Sequence, residues 1–438
     1  MELRQIFTIQ KLYTSFEILS FCLLYVYLIQ YFSPLQIISA AALGYSIPAA
    51  LIFFSRFLDT KRFMIFGLSA RWIALLIFLL PPRPVFLYIF YALFGIFIFF
   101  FWTSYNIRYF HFSHSMNRAT SAGHYIIVGA FLSTFVPIIS GLFVDNLGFR
   151  SLTILGSLMM LFIIFKASRI DEFLVSYDFR EAFRKSKGIR SLKFLQGAWE
   201  IIYISVSIHT LTFISESMSY ALYLSFIGFI SIIATFIVTR ISDKDNKRMK
   251  FFFPLLIFLI AAMINLFFAD SVEKWLIATA LLGFLQTLIY PFFLAVVLDK
   301  VEDKSTSLII REFMLGLGRA FSASVLVVML FFGFPFPLFF IFTSLIMLAY
   351  LALLIIKGVY FEEAYYPLSP VVKLYNGSKK LVANIYPWGQ VQKLSSFPKR
   401  FFLHFYNGSR WVRSKSISRS TENSIIKGRT SGLFGKER

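Results

Sequence analysis

Glu17, Arg71, His124, Glu200, His209 and Arg319 are ionisable residues set inside otherwise apolar stretches of the chain. Charge in such surroundings is costly, so each needs a partner and is a functional hypothesis by default. A glutamate there can exchange a proton with water, or it can pair with a cation and brace its helix. Arginine keeps its charge at any physiological pH, so Arg71 and Arg319 are fixed cations, serving as counter-ions for a glutamate or anchors for an anionic ligand. Histidine titrates near neutrality when unperturbed, which makes His209 and His124 further proton carriers unless a neighbouring hydroxyl satisfies them. His111 and His114 are three apart with no Cys or acidic residue close by. No metal ligand set, nucleophile triad or phosphate loop is recognisable, so no metal and no cofactor are expected, and no enzymatic chemistry.

The stretches that hold these residues set the class of the protein. Hydrophobic residues make up 58% of the 438 and charged ones 15%, with 57 Phe, and the mean hydropathy is +0.73. A soluble domain carries about 25% charged residues. Apolar runs of roughly 20 residues recur along most of the chain, the length that crosses about 30 Å of hydrocarbon as a helix. They do not alternate as barrel strands do, so the expected fold is an all-α membrane protein. Spanning helices are expected near 12–32, 35–55, 63–80, 85–107, 119–143 and 150–167, and near 194–214, 217–240, 250–268, 274–298, 307–332 and 336–357. Short Pro-containing links such as Pro81-Pro82-Arg83-Pro84 punctuate them. The chain then divides into a first six-helix half (1–167), a charged central loop (168–193), a second six-helix half (194–357) and a basic tail (358–438). The single Cys22 excludes an intrachain disulfide.

The net charge of +21 would suit nucleic acid, but its placement argues for topology instead. Alternate connections hold Arg4 and Lys11, then Arg56, Lys61 and Arg62, then Arg108 and Arg118, the central loop, Arg240 to Lys250, Lys300 and Lys304, and the tail. The other connections hold little beyond Arg83, Arg150 and Lys274. Lys and Arg collect on the cytoplasmic side, which puts both termini there, in the plasma membrane of the cell, with no nucleic-acid partner expected. In the tail, Lys379, Lys380, Lys399, Arg400 and Arg413 are interleaved with Tyr386, Trp388, Phe401, Phe402 and Trp411. That mixture suits contact with anionic lipid, or a solvated and partly disordered tail.

The two halves share a weak repeat. Tyr13 to Glu17 opens the first helix as Gln196 to Glu200 opens the seventh; Asp59 follows the second as Asp243 follows the eighth. Gly95 matches Gly283, and Gly129 matches Gly318, at an offset drifting from about 183 to about 189 residues. Four matches in order imply halves of the same orientation.

Two such halves, with cytoplasmic termini and a charged central loop, resemble the major facilitator superfamily. That family's pattern after the second helix is Gly-x-x-x-Asp-Arg-x-Gly-Arg-Arg. The loop after the eighth helix keeps Asp243, Lys244, Lys247 and Arg248, with Thr239 and Asn246 at the glycine positions. The loop after the second keeps Asp59, Lys61 and Arg62 but is two residues shorter and lacks both glycines. Gly123, Pro137 and Gly141 of the fifth helix match part of the motif of drug-efflux members.

The resemblance implies a monomeric transporter of small solutes, working by alternating access around a cavity lined by helices 1, 4, 7 and 10. Those helices offer Tyr25 and Gln30, Trp102 and Asn106, Tyr203 and Ser207, and Gln286 and Tyr290, with Arg319 as an anchor. An aromatic cavity with amides and hydroxyls suits an amphipathic or neutral organic molecule, although such residues also pack helices together. Glu17, Glu200 and His209 are the proton-coupling candidates; placement in both halves also suits bracing. Asp59, Arg62, Asp243, Arg248 and Arg311 form an expected conformational latch, with Asp59 facing the start of helix 11 near Ser305, Thr306, Ser307 and Arg311. Proton-coupled efflux is the favoured direction. A lipid transporter or flippase, and a membrane subunit that keeps the fold without transporting, are the alternatives.

Overall fold

Apolar runs of this length become helices because lipid offers the backbone no hydrogen-bond partners. The computed structural model describes residues 2–112, 118–244, 249–300 and 304–356, with the side chains of 2–3, 110, 112–127, 238–251 and 294–305 outside that description. Met1–Leu351 form one compact unit, and Ala352–Arg438 are a second, of which only the end of one helix is described. The expected basic tail, its lipid contact, and the residues His114 and Arg248 lie outside the described residues, as do the side chains of His124 and Asp243.

In chain order the helices are α1 (Glu2–Phe21), α2 (Leu24–Ile29), α3 (Pro34–Phe54), α4 (Thr60–Leu76), α5 (Pro84–Phe97), α6 (Ser104–Phe112), α7 (Arg118–Leu147) and α8 (Phe149–Ala167). After them come α9 (Phe179–Lys185), α10 (Arg190–Glu200), α11 (Ile202–Thr210), α12 (Ser217–Lys244), α13 (Met249–Phe267), α14 (Val272–Lys300), α15 (Lys304–Phe331) and α16 (Leu338–Ile356). Ten helical stretches among the described residues are long and apolar enough to cross a membrane. Phe54, Phe131, Ile277 and Phe331 point outward, where water would penalise them and lipid does not. Inside, Tyr13, Phe97, Phe101 and Tyr105 form a stack with centroids 5.1 to 6.0 Å apart.

Three local features depart from the expected segments. The first helix begins at Glu2 rather than near residue 12, because Ile6, Ile9, Tyr13 and Phe16 recur at helical spacing and are all buried. Its apolar continuation is interrupted at Cys22–Leu23, and the seventh segment is likewise interrupted at Ile201, directly after Glu200. The fourth passes through a π-helical stretch, Ile98–Thr103, between α5 and α6. Such interruptions free the backbone locally and gather at functional sites in membrane helices.

The central connection carries secondary structure of its own. Strand β1 (Phe57–Asp59) pairs antiparallel with β2 (Leu174–Ser176), Phe57 opposite Ser176 and Asp59 opposite Leu174. Arg108 in the middle of α6 is fully buried and donates to Thr60 Oγ1 at 2.6 Å and to the Asp171 carbonyl. Tyr177 donates to the Ile52 carbonyl at 2.9 Å. Beyond it, Phe179 of α9 packs on Phe53 of α3 and on Phe313 of α15, with centroids 5.1 and 5.0 Å away. Arg108, Thr60 and Tyr177 thus turn a charged sequence into a strap over one end of the bundle.

Candidate functional site

Four of the charged residues picked out from apolar sequence meet as two ion pairs, with Glu17, Arg71 and Arg319 near the middle of their spans and Glu200 at the end of α10. Arg71 on α4 reaches Glu17 on α1, with Nη2 2.6 Å from Oε1 and Nε 3.2 Å from Oε2. Tyr13, one turn before Glu17, donates to Oε2 at 2.5 Å. The guanidinium also lies 3.6 Å from the ring centroid of Phe21 and 4.8 Å from that of Phe94. A bidentate pair backed by aromatic faces is the arrangement in which arginine outperforms lysine. Arg71 is buried, while the Glu17 side chain keeps 33% of its surface open.

The second pair joins α10 to α15. Arg319 donates through Nε, at 2.8 Å, and through Nη2 to Glu200 Oε2. The local packing that permits this is backbone on backbone: a Cβ at Gly318 would sit 2.0 Å from the Phe194 carbonyl, and one at Gly197 2.3 Å from that of Leu315. Any larger residue at either place would hold the helices apart and separate the pair.

Glu200 is also held from its own helix. Its Oε1 accepts from Gln196 Nε2 at 2.9 Å, and Gln196 Oε1 accepts from Lys193 Nζ at 2.7 Å. Lys193 is fully buried and donates further to the Phe293 carbonyl at 2.5 Å. Lys193, Gln196 and Glu200 are spaced i, i+3, i+7, which places them on one face of α10. Near them on α15, Arg311 pairs with its neighbour Glu312, whose Oε1 also accepts from Asn106 Nδ2 of α6 at 3.2 Å.

Tyr45 of α3 bridges the two sets. Both Glu17–Arg71 and Glu200–Arg319 act on its hydroxyl, and the Arg319 guanidinium carbon lies 5.8 Å from its ring centroid. Glu200 and Arg319 act on the hydroxyls of Tyr203 and Tyr290 as well. Tyr203 is nevertheless 42% exposed.

Of the expected cavity residues, Tyr203, Tyr290, Asn106 and Arg319 gather at this cluster. Trp102 reaches it through Tyr13, edge-on at 5.8 Å, and Tyr25 through Tyr45 and Tyr91. Gln286, on α14 one turn from Tyr290, has its Nε2 buried without a partner among the described residues. Gln30 and Ser207 fall away from it. Gln30 is the exposed cap of α2, and the Ser207 hydroxyl bonds back to the Tyr203 carbonyl at 2.9 Å. His209 sits in a box of rings made by Phe213, Trp275, Phe336 and Phe340, stacked on Phe336 at 5.4 Å.

The latch is arranged otherwise than expected. Asp59 caps α4 by accepting from the Arg62 amide and pairs with the Arg62 side chain at 3.1 Å, and Arg62 approaches Glu172 of the strap at 3.9 Å. Arg311 is taken by Glu312 instead. Lacking the two glycines of the family pattern, the segment before Asp59 runs extended and pairs as a strand, which turns Asp59 toward the central connection.

Lys193, Gln196, Tyr45, Glu312 and Arg108 were not among the residues expected to matter. Lys193 and Gln196 had a readable signal, the i, i+3, i+7 spacing up to Glu200. Tyr45, Glu312 and Arg108 had none, since their importance comes from contacts with other helices.

The sequence matches the Major Facilitator Superfamily family profile over residues 12–323. Among solved structures, a variant of the E. coli fucose:proton symporter FucP superposes with a TM-score of 0.61 at 15% identity, covering 80% of this chain and 97% of that one. FucP in the outward conformation gives 0.58 at 14% identity, covering 81% and 97%. The human organic anion transporter MFSD10 (TETRAN) gives 0.58 at 12%, covering 81% of this chain and 100% of that one. Likeness at these identities speaks for the fold alone, and no curated protein matches the sequence. The profile spans most of the chain; the protein is a polytopic membrane transporter rather than an enzyme, and it belongs to the major facilitator superfamily.

Proposed function

We propose that the chain is a secondary transporter that carries a small organic solute by alternating access. Its spans form two six-helix halves, 1–167 and 194–357, joined by the strap and followed by a tail on anionic lipid. The positive-inside pattern supports cytoplasmic termini. The observation that carries the reading is the pair of ion pairs set among apolar helices, Glu17 with Arg71 and Glu200 with Arg319, the second beside the exposed ring of Tyr203. Buried charge of this kind is kept for ligands or coupling ions rather than for stability. Glu17, the more open of the two glutamates, is the proton-exchanging residue, and the partial efflux motif on α7 supports export. The fold serves solutes as different as those named for its structural neighbours, a sugar and organic anions.

Purified protein in detergent, screened by thermal shift against metabolites, drugs and lipids at two pH values, tests this. A solute bound by the folded state raises apparent stability. Such a solute should then exchange across proteoliposome membranes, with a pH dependence that Glu17→Gln removes. A response to phospholipid alone would move the reading to lipid transport. No response to any solute would argue for a subunit that no longer transports.

A further inference from the structure

The ribbon of the strap turns apolar side chains outward. Leu58 and Val175 face each other across it, and Leu58 is fully buried. Side chains alternate along a strand, so the neighbours Phe57 and Leu174 point the other way, where they are 63% and 70% exposed. Phe57 lies opposite Ser176 and Leu174 opposite Asp59, a diagonal placement on one face that brings the two into a single apolar spot. Water penalises such a spot, so its depth relative to the membrane decides what covers it.

The chain on either side fixes that depth. One apolar span ends at Phe54 and the next begins at Thr60. Phe57 is three residues from each and, at about 3.3 Å per residue, within roughly 10 Å of both. Amphipathic segments at a membrane surface bury their apolar side about 5–10 Å into the headgroup boundary. Rings also run from the ribbon to the outer wall of the bundle. Phe57 lies 6.4 Å from Phe63, Phe63 4.7 Å from Phe100, and Phe100 4.7 Å from Phe66, which is exposed on α4. The apolar spot is the edge of the lipid-facing surface.

The uncommitted charge around it is positive. Arg56 directly precedes Phe57, and α9 is anchored at the same end by Phe179 against Phe53. Arg180 and Arg184, spaced i and i+4, share the side of α9 opposite the buried Ala182, and Lys187 follows the helix. These four cations are exposed and have no ion-pair partner among the described residues, whereas Glu172 and Glu181 are paired with Arg62 and Lys185. The chain's own tail is a poor cover, because Lys and Arg far outnumber Asp and Glu in 358–438 and like charges repel. We propose that the strap is a binding surface for anionic phospholipid. Phe57 and Leu174 enter the interface of the leaflet at this end, and Arg56, Arg180, Arg184 and Lys187 take the phosphates of its headgroups. The proposal concerns the membrane rather than the solute and holds whatever the protein carries.

The test places a probe on the ribbon. Leu174→Cys in a Cys22→Ser background leaves one cysteine, which is labelled with an NBD fluorophore in the full chain; Phe57→Cys serves as a second position. The protein is placed in nanodiscs of phosphatidylcholine, alone or with an equal part of phosphatidylglycerol, each with a lipid spin-labelled near the top of its acyl chain as quencher. Both faces of such a disc carry the same lipid, so the result does not depend on which face is cytoplasmic. Quenching should be about twofold greater with phosphatidylglycerol. That gain should shrink in about 0.5 M salt and vanish when Arg56→Gln, Arg180→Gln and Arg184→Gln are combined. The combined variant should unfold at the same temperature as its parent in detergent, since all three arginines are exposed. Water-like emission with no quenching in either disc contradicts the proposal. So does quenching that ignores both lipid charge and the arginines. Blue-shifted emission without quenching means that protein covers the spot, and contradicts it as well.

Discussion

A buried carboxylate beside a buried arginine is tolerated only while both are present. Arg319→Gln leaves Glu200 uncompensated and should destabilise the protein by about 3–5 kcal/mol. Adding Glu200→Gln should recover much of that loss, and thermal unfolding of the three variants in detergent would show it as non-additivity. Arg71→Gln and Glu17→Gln should behave in the same way, with a smaller loss on the glutamate side because Glu17 is partly open. These four residues were legible in the sequence because a charge inside an apolar run is conspicuous. Lys193 was not, since it closes the charged stretch from Arg180 to Lys193 and hydropathy assigns that stretch to a loop. Only the spacing of Lys193, Gln196 and Glu200 reveals that the helix has already begun. The partners of Arg311 and Asp59 were illegible for another reason: which of several nearby ions an arginine takes depends on distances that no spacing rule supplies.

At the scale of elements, the α10–α15 crossing sets the second ion pair. A Cβ at Gly318 would meet the Phe194 backbone, so Gly318→Val should push the helices apart and weaken the pair. The loss should match that of Arg319→Gln in thermal unfolding, although no charge has changed. The strap makes a second prediction. Burial pushes the Tyr177 phenol above its ordinary value, so the hydroxyl stays a donor to the Ile52 carbonyl in the folded chain. A phenol raised on folding contributes stability that is present below its unfolded value, about pH 10, and lost as pH rises beyond it. Proteolysis within 168–189 should therefore accelerate above about pH 10 in the wild type. Tyr177→Phe should be cut faster already at neutral pH, by the loss of one hydrogen bond of about 1 kcal/mol, and should show less of the alkaline increase. The helices themselves were readable from apolar length. The strap was not, because its ribbon pairs segments more than a hundred residues apart and rests on Arg108, which looked like one more topology-setting cation.

For the whole molecule, alternating access requires a central space that opens to one side of the membrane at a time. The alternation of basic connections predicts which face is cytoplasmic, and the repeat predicts two halves that rock about Tyr203, Glu200 and Arg319. Both predictions meet in one measurement that needs no knowledge of the solute: Tyr203→Cys in a Cys22→Ser background, in sealed vesicles of each orientation, labelled with a membrane-impermeant maleimide. Alternating access predicts labelling from both faces, with a conformation-trapping crosslink between α3 and α15 suppressing the rate from the strap side only. Labelling confined to one face, unaffected by the crosslink, would contradict alternating access.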